Sequence, residues 1–595
     1  MTAMDLEVEA TTGLSVTQLL EVGQKFDAKG ETQSAIHLYE IWLRRNANIP
    51  LSYVAWYEFG RMLGKAGNAD RAAASFQAAI EQKPDFTEAA VALGYALEGA
   101  AKPNEALEVW RQCIKAGGDK VVLLNNIGRV CDGTYQHEGA EAALKESWKL
   151  NSDQPDVIST LLHLRQRLCE WPIMAPDLGL VDSEAPHNFG PIASLAMFND
   201  PVQNLESVRT FLRLKGYDQI KPLPIHKTKK QGKQKIRVGF LSADYRMHAT
   251  SVFFGTLLEK LDRSVFEVYA LDITVAKEVF GSVRDGLLSK VDHHVPLQSL
   301  SDEEAIKQVR SLQLDVVVDM AGLTAGARPA IVANRIAPVQ VAYLGFIGSS
   351  GMASMDYIMT APDLYQTEHA AGYCEAPLHL SGPYFAMNED LVDLGGHTLT
   401  REQCGLPADA FVYCALLNTY KITQEVFDSW LRILKRVEHG VLWLVSENPT
   451  VVKNLTQYAS QNGVDASRLI FTPRVHPAQF RSYLKCADVF LDTAPYGNGA
   501  TAREAILANL PILTLPGNTM MSRLSGHLMK RLGMDDFVVD SRPAYEEFAV
   551  TLGQSPALMA EYKDKMMASR ASSELFDAEL FVEQFGEALL SAYQS

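Results

Sequence analysis

The feature that most constrains this chain is a period. Gly60, Gly94 and Gly128 stand 34 residues apart, and Ala72, Ala106 and Ala140 keep the same step. The copy at 53–86 is the fullest, with Trp56, Gly60, Gly67, Ala72, Phe76, Ala79 and Pro84 at small, aromatic and helix-stopping positions; an earlier copy carries Gly23, Gly30, Ala35 and Tyr39. Small residues let one helix close on the next, the aromatic fills the space between neighbouring pairs, and proline ends the unit. This is the tetratricopeptide step, in which each helix pair needs a neighbour to bury its apolar face. An all-α right-handed solenoid is therefore expected over residues 14–155, with a concave side suited to an extended polypeptide. An arm used for self-association, giving a homo-oligomer, is the alternative. The amphipathic stretches VISTLLHLRQRLCEW and ESVRTFLRLKGY, within 156–235, are expected to cap the solenoid and join it to the rest of the chain.

At 595 residues and 47% hydrophobic, the chain must hold several cores. No window approaches twenty uninterrupted apolar residues, and the opening MTAMDLEVEATTGLSV has acids where a secretory leader has bases, so a cytoplasmic protein without a membrane anchor is expected. The seven cysteines never come closer than ten residues, which leaves no CxxC pair and no usual zinc spacing; reduced, mostly buried thiols are expected. A formal charge of -16 argues against nucleic acid as a partner. The basic run at 226–237 reads as a solvated linker.

From residue 236 the pattern changes to apolar runs of strand length separated by helical stretches. IRVGFLSAD, FEVYALDI, LDVVVDMAG and VQVAYLG mark a parallel α/β lobe over 236–395, and FVYCALL, VLWLVS, RLIFTP, VFLDT and ILTLPG mark a second over 396–595. In such sheets ligands bind beyond the carboxyl ends of the strands, where this chain has the polar loops LNTYK, TPRVHP, DTAPYGNGATARE and PGNTMMSR.

The loop YGNGAT at 496–501 suits a phosphate, since small residues allow close backbone approach and a helix begins there with free N–H groups; it lacks the Gly-Lys-Ser/Thr ending of a P-loop. Gly-Asn-Gly is also an ordinary turn. Glu504, one helical turn on, can reach a ribose hydroxyl or serve as a plain surface or capping glutamate. Lys421 follows a strand and is placed to neutralise a leaving diphosphate, although a lysine at a strand end is commonly solvated. His248 ends the first strand of the first lobe as an acid, base or hydrogen-bonding group, with a structural histidine as the plain alternative.

In order and spacing, VGFLSADYRMHATS, the stretch from DMAGLTAGARPAIVANRIAPVQ to SMDYIM, LLNTYKITQEVFDSWLRILKRV, RLIFTPRVH and ADVFLDTAPYGNGATAREAILANLPILTLPGNTMMSRL resemble glycosyltransferase family 41, the O-linked N-acetylglucosamine transferases with their bacterial SPINDLY-like and HMW1C-like relatives. The resemblance covers roughly 236–575. It implies a GT-B fold of two Rossmann-like lobes and metal-independent, inverting hexosyl transfer from a nucleotide sugar, UDP-linked, to Ser or Thr of a protein, with no cofactor. It places the sugar-facing histidine on His248, the catalytic lysine on Lys421 beside Tyr420, diphosphate contacts on Asn418 and on Asn498, Gly499, Ala500 and Thr501, the ribose partner on Glu504, and the sugar-lining turn on Gly348, Ser349, Ser350 and Gly351. The nucleoside-binding lysine and histidine of the animal enzymes fall on Pro477 and Phe480, while His476 resembles the HMW1C-like branch; nucleoside recognition by His476 and a Phe480 stack is the expectation. Alternatives are another donor, including an acidic sugar or N-linked transfer, with a dedicated acceptor such as a flagellin or adhesin, and a repeat scaffold whose transferase half is degenerate.

Overall fold

The computed structural model describes residues 11–225, 234–275, 281–387 and 399–595. The start of the chain, most of the basic run and the expected boundary at 395/396 lie outside the described residues. The chain divides into two compact units, Met1–Leu164 and Arg165–Ser595.

The first unit is a ladder of helix pairs: α1 (Val16–Ala28) with α2 (Thr32–Asn46), α3 (Ser52–Lys65) with α4 (Ala69–Gln82), α5 (Thr87–Gly99) with α6 (Pro103–Ala116), and α7 (Lys120–Gly133) with α8 (His137–Leu150). Helix α9 (Pro155–Leu168) runs across the division. One contact recurs in all four pairs. A Cβ added at Gly23, Gly60, Gly94 or Gly128 would stand 2.1, 2.5, 2.2 or 2.5 Å from Tyr39, Phe76, Trp110 or Leu144, always the residue sixteen positions on. The glycine of the first helix is thus the socket for the large side chain of the second. Ala35, Ala72, Ala106 and Ala140 are buried beside these sockets.

The second unit holds two wholly parallel sheets. The first has the order β3-β2-β1-β4-β5-β6-β7, with β1 Ile236–Ser242, β2 Phe266–Asp272, β3 His293–Pro296, β4 Val316–Asp319, β5 Val339–Ala342, β6 Tyr357–Thr360 and β7 Ala376–His379. The second has the order β10-β9-β8-β11-β12, with β8 Phe411–Ala415, β9 Gly440–Val445, β10 Leu469–Thr472, β11 Val489–Leu491 and β12 Ile512–Leu513. Both are doubly wound. The strand order reverses between β1 and β4 and again between β8 and β11, which opens a crevice at the carboxyl ends of those strands. The helices of this unit include α10 (Pro201–Leu214), α11 (Ala249–Lys260), α12 (Pro477–Leu484), α13 (Ala500–Leu507), α14 (Met520–Arg531) and α15 (Ala578–Gln594). Among the described residues no helix is long and apolar enough to cross a membrane.

Segments at either end of this unit tie its lobes together. The Thr419 hydroxyl donates to the Arg167 carbonyl (2.6 Å), Asn454 Nδ2 donates to the Leu168 carbonyl (3.0 Å), and Trp171 packs on Phe427 and Tyr458. Asn199 Oδ1 accepts the Asn518 N–H at 2.8 Å, and α10 lies against Gly351 of the first lobe. The last helix, α15, returns to the first lobe, where Phe585 stacks on Phe240 and meets Tyr343.

A histidine joins the lobes directly. His527 of α14 is buried; its Nε2 accepts the Tyr384 N–H at 3.0 Å and its Nδ1 lies 2.9 Å from both oxygens of Asp363. That pattern requires a neutral ring protonated on Nδ1. Burial lowers the His527 pKa, against the opposing pull of Asp363, with Arg531 and Lys530 adding to the lowering. The unfolded chain therefore takes up this proton first as pH falls. The stabilisation is complete above the unfolded value of about 6.5 and is lost as pH drops below it. The Asp363 carboxyl is held below its ordinary value, so its own contribution is retained until more acidic pH. The melting temperature is expected to fall between pH 7 and 5.5, and to fall less in His527→Gln. Equal slopes for the two proteins would remove His527 from the effect.

Of the seven cysteines, Cys374 is exposed and the rest are buried and free.

Candidate active site

The loops after β1, β8, β10 and β11 converge as the strand order demands, around a cavity of about 350 Å³, within the range of small-molecule sites. One wall comes from the first lobe: Met247, His248, Val252 and Phe253. The opposite wall is apolar, with Val445, Pro473, Pro477, Phe480 and Tyr483, and the floor is Leu416, Leu417 and Asn418. Ala500, Thr501, Arg503 and Glu504 of α13 close it.

His248 is the N-cap of α11. Its Nδ1 accepts the Thr250 N–H at 3.2 Å and lies 3.1 Å from Asp244 Oδ2. Nδ1 serves one partner at a time: bare, it caps the helix; protonated, it donates to Asp244. Either way the ring is held by its own loop while His248 lines the cavity.

The N-cap of helix α13 is Gly499, which offers no side-chain oxygen. Its first N–H groups, at Ala500 and Thr501, are therefore left without the usual capping oxygen and carry the positive end of the helix dipole beside the cavity. Glu504 is flanked by cations: Arg481 donates to Oε2 from Nη2 (2.9 Å) and Nε (3.1 Å), and Arg503 donates to Oε1. Arg474 reaches Asn418 Oδ1. The two arginines of the TPRVHPAQFR segment carry no local signal of these roles, because their partners lie on other elements.

Lys421 sits behind this surface. It is 7% exposed, and its Nζ donates to the Asn498 Oδ1 (3.0 Å) and the Gly497 carbonyl (3.1 Å), 4.4 Å over the Tyr496 ring. Tyr420 meets the same ring edge-on. Burial brings the lysine pKa down to about 8, with the Asp492 carboxylate pulling the other way. Asn498 is fully buried.

Of the residues expected in the site, His248, Asn418, Phe480, Ala500, Thr501 and Glu504 line the cavity, and Asn498, Gly499, Tyr420 and Lys421 form the layer beneath. His476 is exposed and is not among the lining residues. The turn Gly348, Ser349, Ser350 and Gly351 does not line it either. Glu375 draws the turn inward, accepting the Ser349 hydroxyl (2.8 Å), the Ser350 N–H (2.7 Å) and the Ser350 hydroxyl. Gly351 has φ +69 and a Cβ there would meet Val208 of α10 at 2.8 Å, so this turn is a packing joint.

Residues 218–397 and 396–585 match the family model described as glycosyl transferase family 41. The chain is 27% identical over 441 residues to a probable UDP-N-acetylglucosamine–peptide N-acetylglucosaminyltransferase SEC of Arabidopsis thaliana, covering 70% of this chain and 45% of that protein. It is 23% identical over 462 residues to the UDP-N-acetylglucosamine–peptide N-acetylglucosaminyltransferase of Caenorhabditis elegans, covering 59% of this chain and 40% of that one. The chain thus spans less than half the length of these curated relatives. The solved structure of an O-GlcNAc transferase mutant from Thermobaculum terrenum shares the fold, with a TM-score of 0.68 at 22% identity, covering 91% of this chain and 97% of that chain.

Proposed function

The chain belongs to glycosyl transferase family 41, and from this premise we propose that it transfers a hexose, such as N-acetylglucosamine, from a UDP-linked donor to Ser or Thr hydroxyls of a protein held by the repeat unit. The observation that carries the proposal is the uncapped start of α13 at one cavity with His248 and an apolar wall. The nucleobase packs on the wall at Phe480 and Tyr483, and the ribose meets Glu504. The diphosphate lies at the N–H groups of Ala500 and Thr501, with the Lys421 ammonium behind them. Anionic groups are favoured at a helix N-terminus without any metal. The acceptor oxygen attacks the anomeric carbon from the side opposite the diphosphate, the carbon–oxygen bond to the diphosphate breaks, and the acceptor proton passes to a base. The sugar configuration inverts. His248 lines the first-lobe wall, where sugar and acceptor meet.

The engagement of Lys421 within the protein favours a second reading, a nucleotide-binding scaffold without turnover. One experiment separates the two. UDP and UDP-N-acetylglucosamine are expected to raise the melting temperature where GDP and ADP do not, because a ligand at 100 times its Kd stabilises by about 2.7 kcal/mol. Co-expressed acceptor protein should gain the mass of a sugar. Stabilisation without donor cleavage or labelling leaves the scaffold; no response to any nucleotide sinks both.

A further inference from the structure

Asp492 follows β11, at the point where the strand order of the second sheet reverses. It is buried, and both carboxylate oxygens are occupied: Oδ1 accepts Asn498 Nδ2 at 2.5 Å and Oδ2 accepts the Thr514 hydroxyl at 2.7 Å. The first of these bonds decides how the Asn498 amide faces. With Nδ2 on the carboxylate, Oδ1 must point the other way, and it accepts from Lys421 Nζ. Flipped, the amide would set an oxygen against the carboxylate and N–H groups against the ammonium, two repulsions inside a buried site.

We propose that Asp492 is a positioning residue for Lys421: through Asn498 it fixes where the ammonium stands, committing two of its protons to the 497–498 loop and leaving the third for the diphosphate of a bound nucleotide sugar. The proposal rests on the nucleotide-sugar reading of the cleft. The network runs from the sheet outward, Thr514 to Asp492 to Asn498 to Lys421, and its last member adjoins the start of α13. Other ionisable groups near the ammonium are the phenols of Tyr496 and Tyr420, both pushed upward by burial and neutral, and Arg474, which reaches Asn418. Asp492 is thus the negative charge that keeps a buried lysine protonated. Burial raises its own pKa, opposed but not outweighed by hydrogen bonds from Thr514, Ser525 and Asn498 and by the Lys421 charge.

The test uses the full chain with lysine labelled at Cε, the Lys421 signal being assigned by its loss in Lys421→Arg. In the unsubstituted protein that signal should titrate near pH 8. In Asp492→Asn the titration should move down by a unit or more, an approximately tenfold change in proton affinity. Thr514→Val keeps the charge but removes the bond that anchors Oδ2, so the carboxylate is held less firmly against Asn498 and a smaller shift in the same direction is expected; this variant carries the test if Asp492→Asn does not fold. With UDP-N-acetylglucosamine as donor, the alkaline limb of kcat should follow the lysine downward while KM stays within about threefold. An unmoved Lys421 titration in a folded variant overturns the proposal. A moved titration in a protein that cleaves no donor keeps the positioning role and rejects the transferase reading instead.

Discussion

Lys421→Ala is expected to lower kcat for sugar transfer by about 10²- to 10³-fold, with a much smaller change in donor KM. In the proposed transfer, negative charge grows on the diphosphate as the bond to the anomeric carbon breaks, and a fixed ammonium in a buried setting stabilises that charge more in the transition state than in the bound donor. Uniform binding, by contrast, is assigned by the proposal to the α13 N–H groups and the apolar wall, which the substitution leaves in place. The variant also has a structural cost, since Asn498 Oδ1 and the Gly497 carbonyl lose their buried donor, at about 1–3 kcal/mol for each group left unsatisfied. The melting temperature should therefore drop, and kcat must be read at a temperature where the variant is folded and still shifts with UDP. Full turnover in such a protein would reduce Lys421 to a pin for the 496–499 loop.

The repeat unit was legible because its information is local and repeated. Every copy spends a glycine and a large side chain sixteen residues on, and the same close approach is rebuilt four times. In the first sheet, β1, β2, β4 and β5 are mainly apolar runs buried at every position but Arg237 and Glu267, and they stand out for that reason. The remaining strands carry weaker signals. His293–Pro296 is an edge strand with a single buried residue, and β6 and β7 are four residues each with partly exposed positions. Period and hydropathy cannot see a strand whose role is to extend an edge.

The site divides along similar lines. The meeting of His248, Thr501 and Glu504 at one cavity was legible because they sit where strands end and helices begin, and doubly wound topology makes such positions converge. What the sequence did not carry is the direction in which side chains turn once the chain is folded. Ser349 and Ser350 turn to Glu375, an acid 26 and 25 residues on. Arg481 crosses from α12 to Glu504 on α13. Lys421 turns to the loop after β11 instead of standing in solvent, because Asp492 and Asn498 wait there, 71 and 77 residues downstream. Each of these depends on a partner that no local pattern announces.

Gly94→Val should separate the two units functionally. Trp110 is wholly buried and its indole N–H is fixed on the Ala90 carbonyl at 2.9 Å, so it cannot swing away from a side chain introduced 2.2 Å from its ring. Overpacking of a rigid core typically costs about 1–3 kcal/mol, and a β-branched residue in mid-helix adds to it. Repeat units share their stability with neighbours, so opening α5 from α6 also strips the inner faces of the pairs on either side. Limited proteolysis should then cut within 87–133, and sugar transfer to a protein acceptor should fall at least tenfold, about 1.4 kcal/mol. Donor hydrolysis and the melting shift with UDP, which the proposed function assigns to the Arg165–Ser595 unit, should stay within about twofold. The steric cause has its own check: in the milder Gly94→Ala background, Trp110→Ala removes the ring that the added methyl meets, and the double variant should lose less stability than the two single changes added together. If protein labelling survives in a Gly94→Val protein whose repeat unit has demonstrably opened, the acceptor is not held there, and the repeats serve some purpose other than delivering substrate.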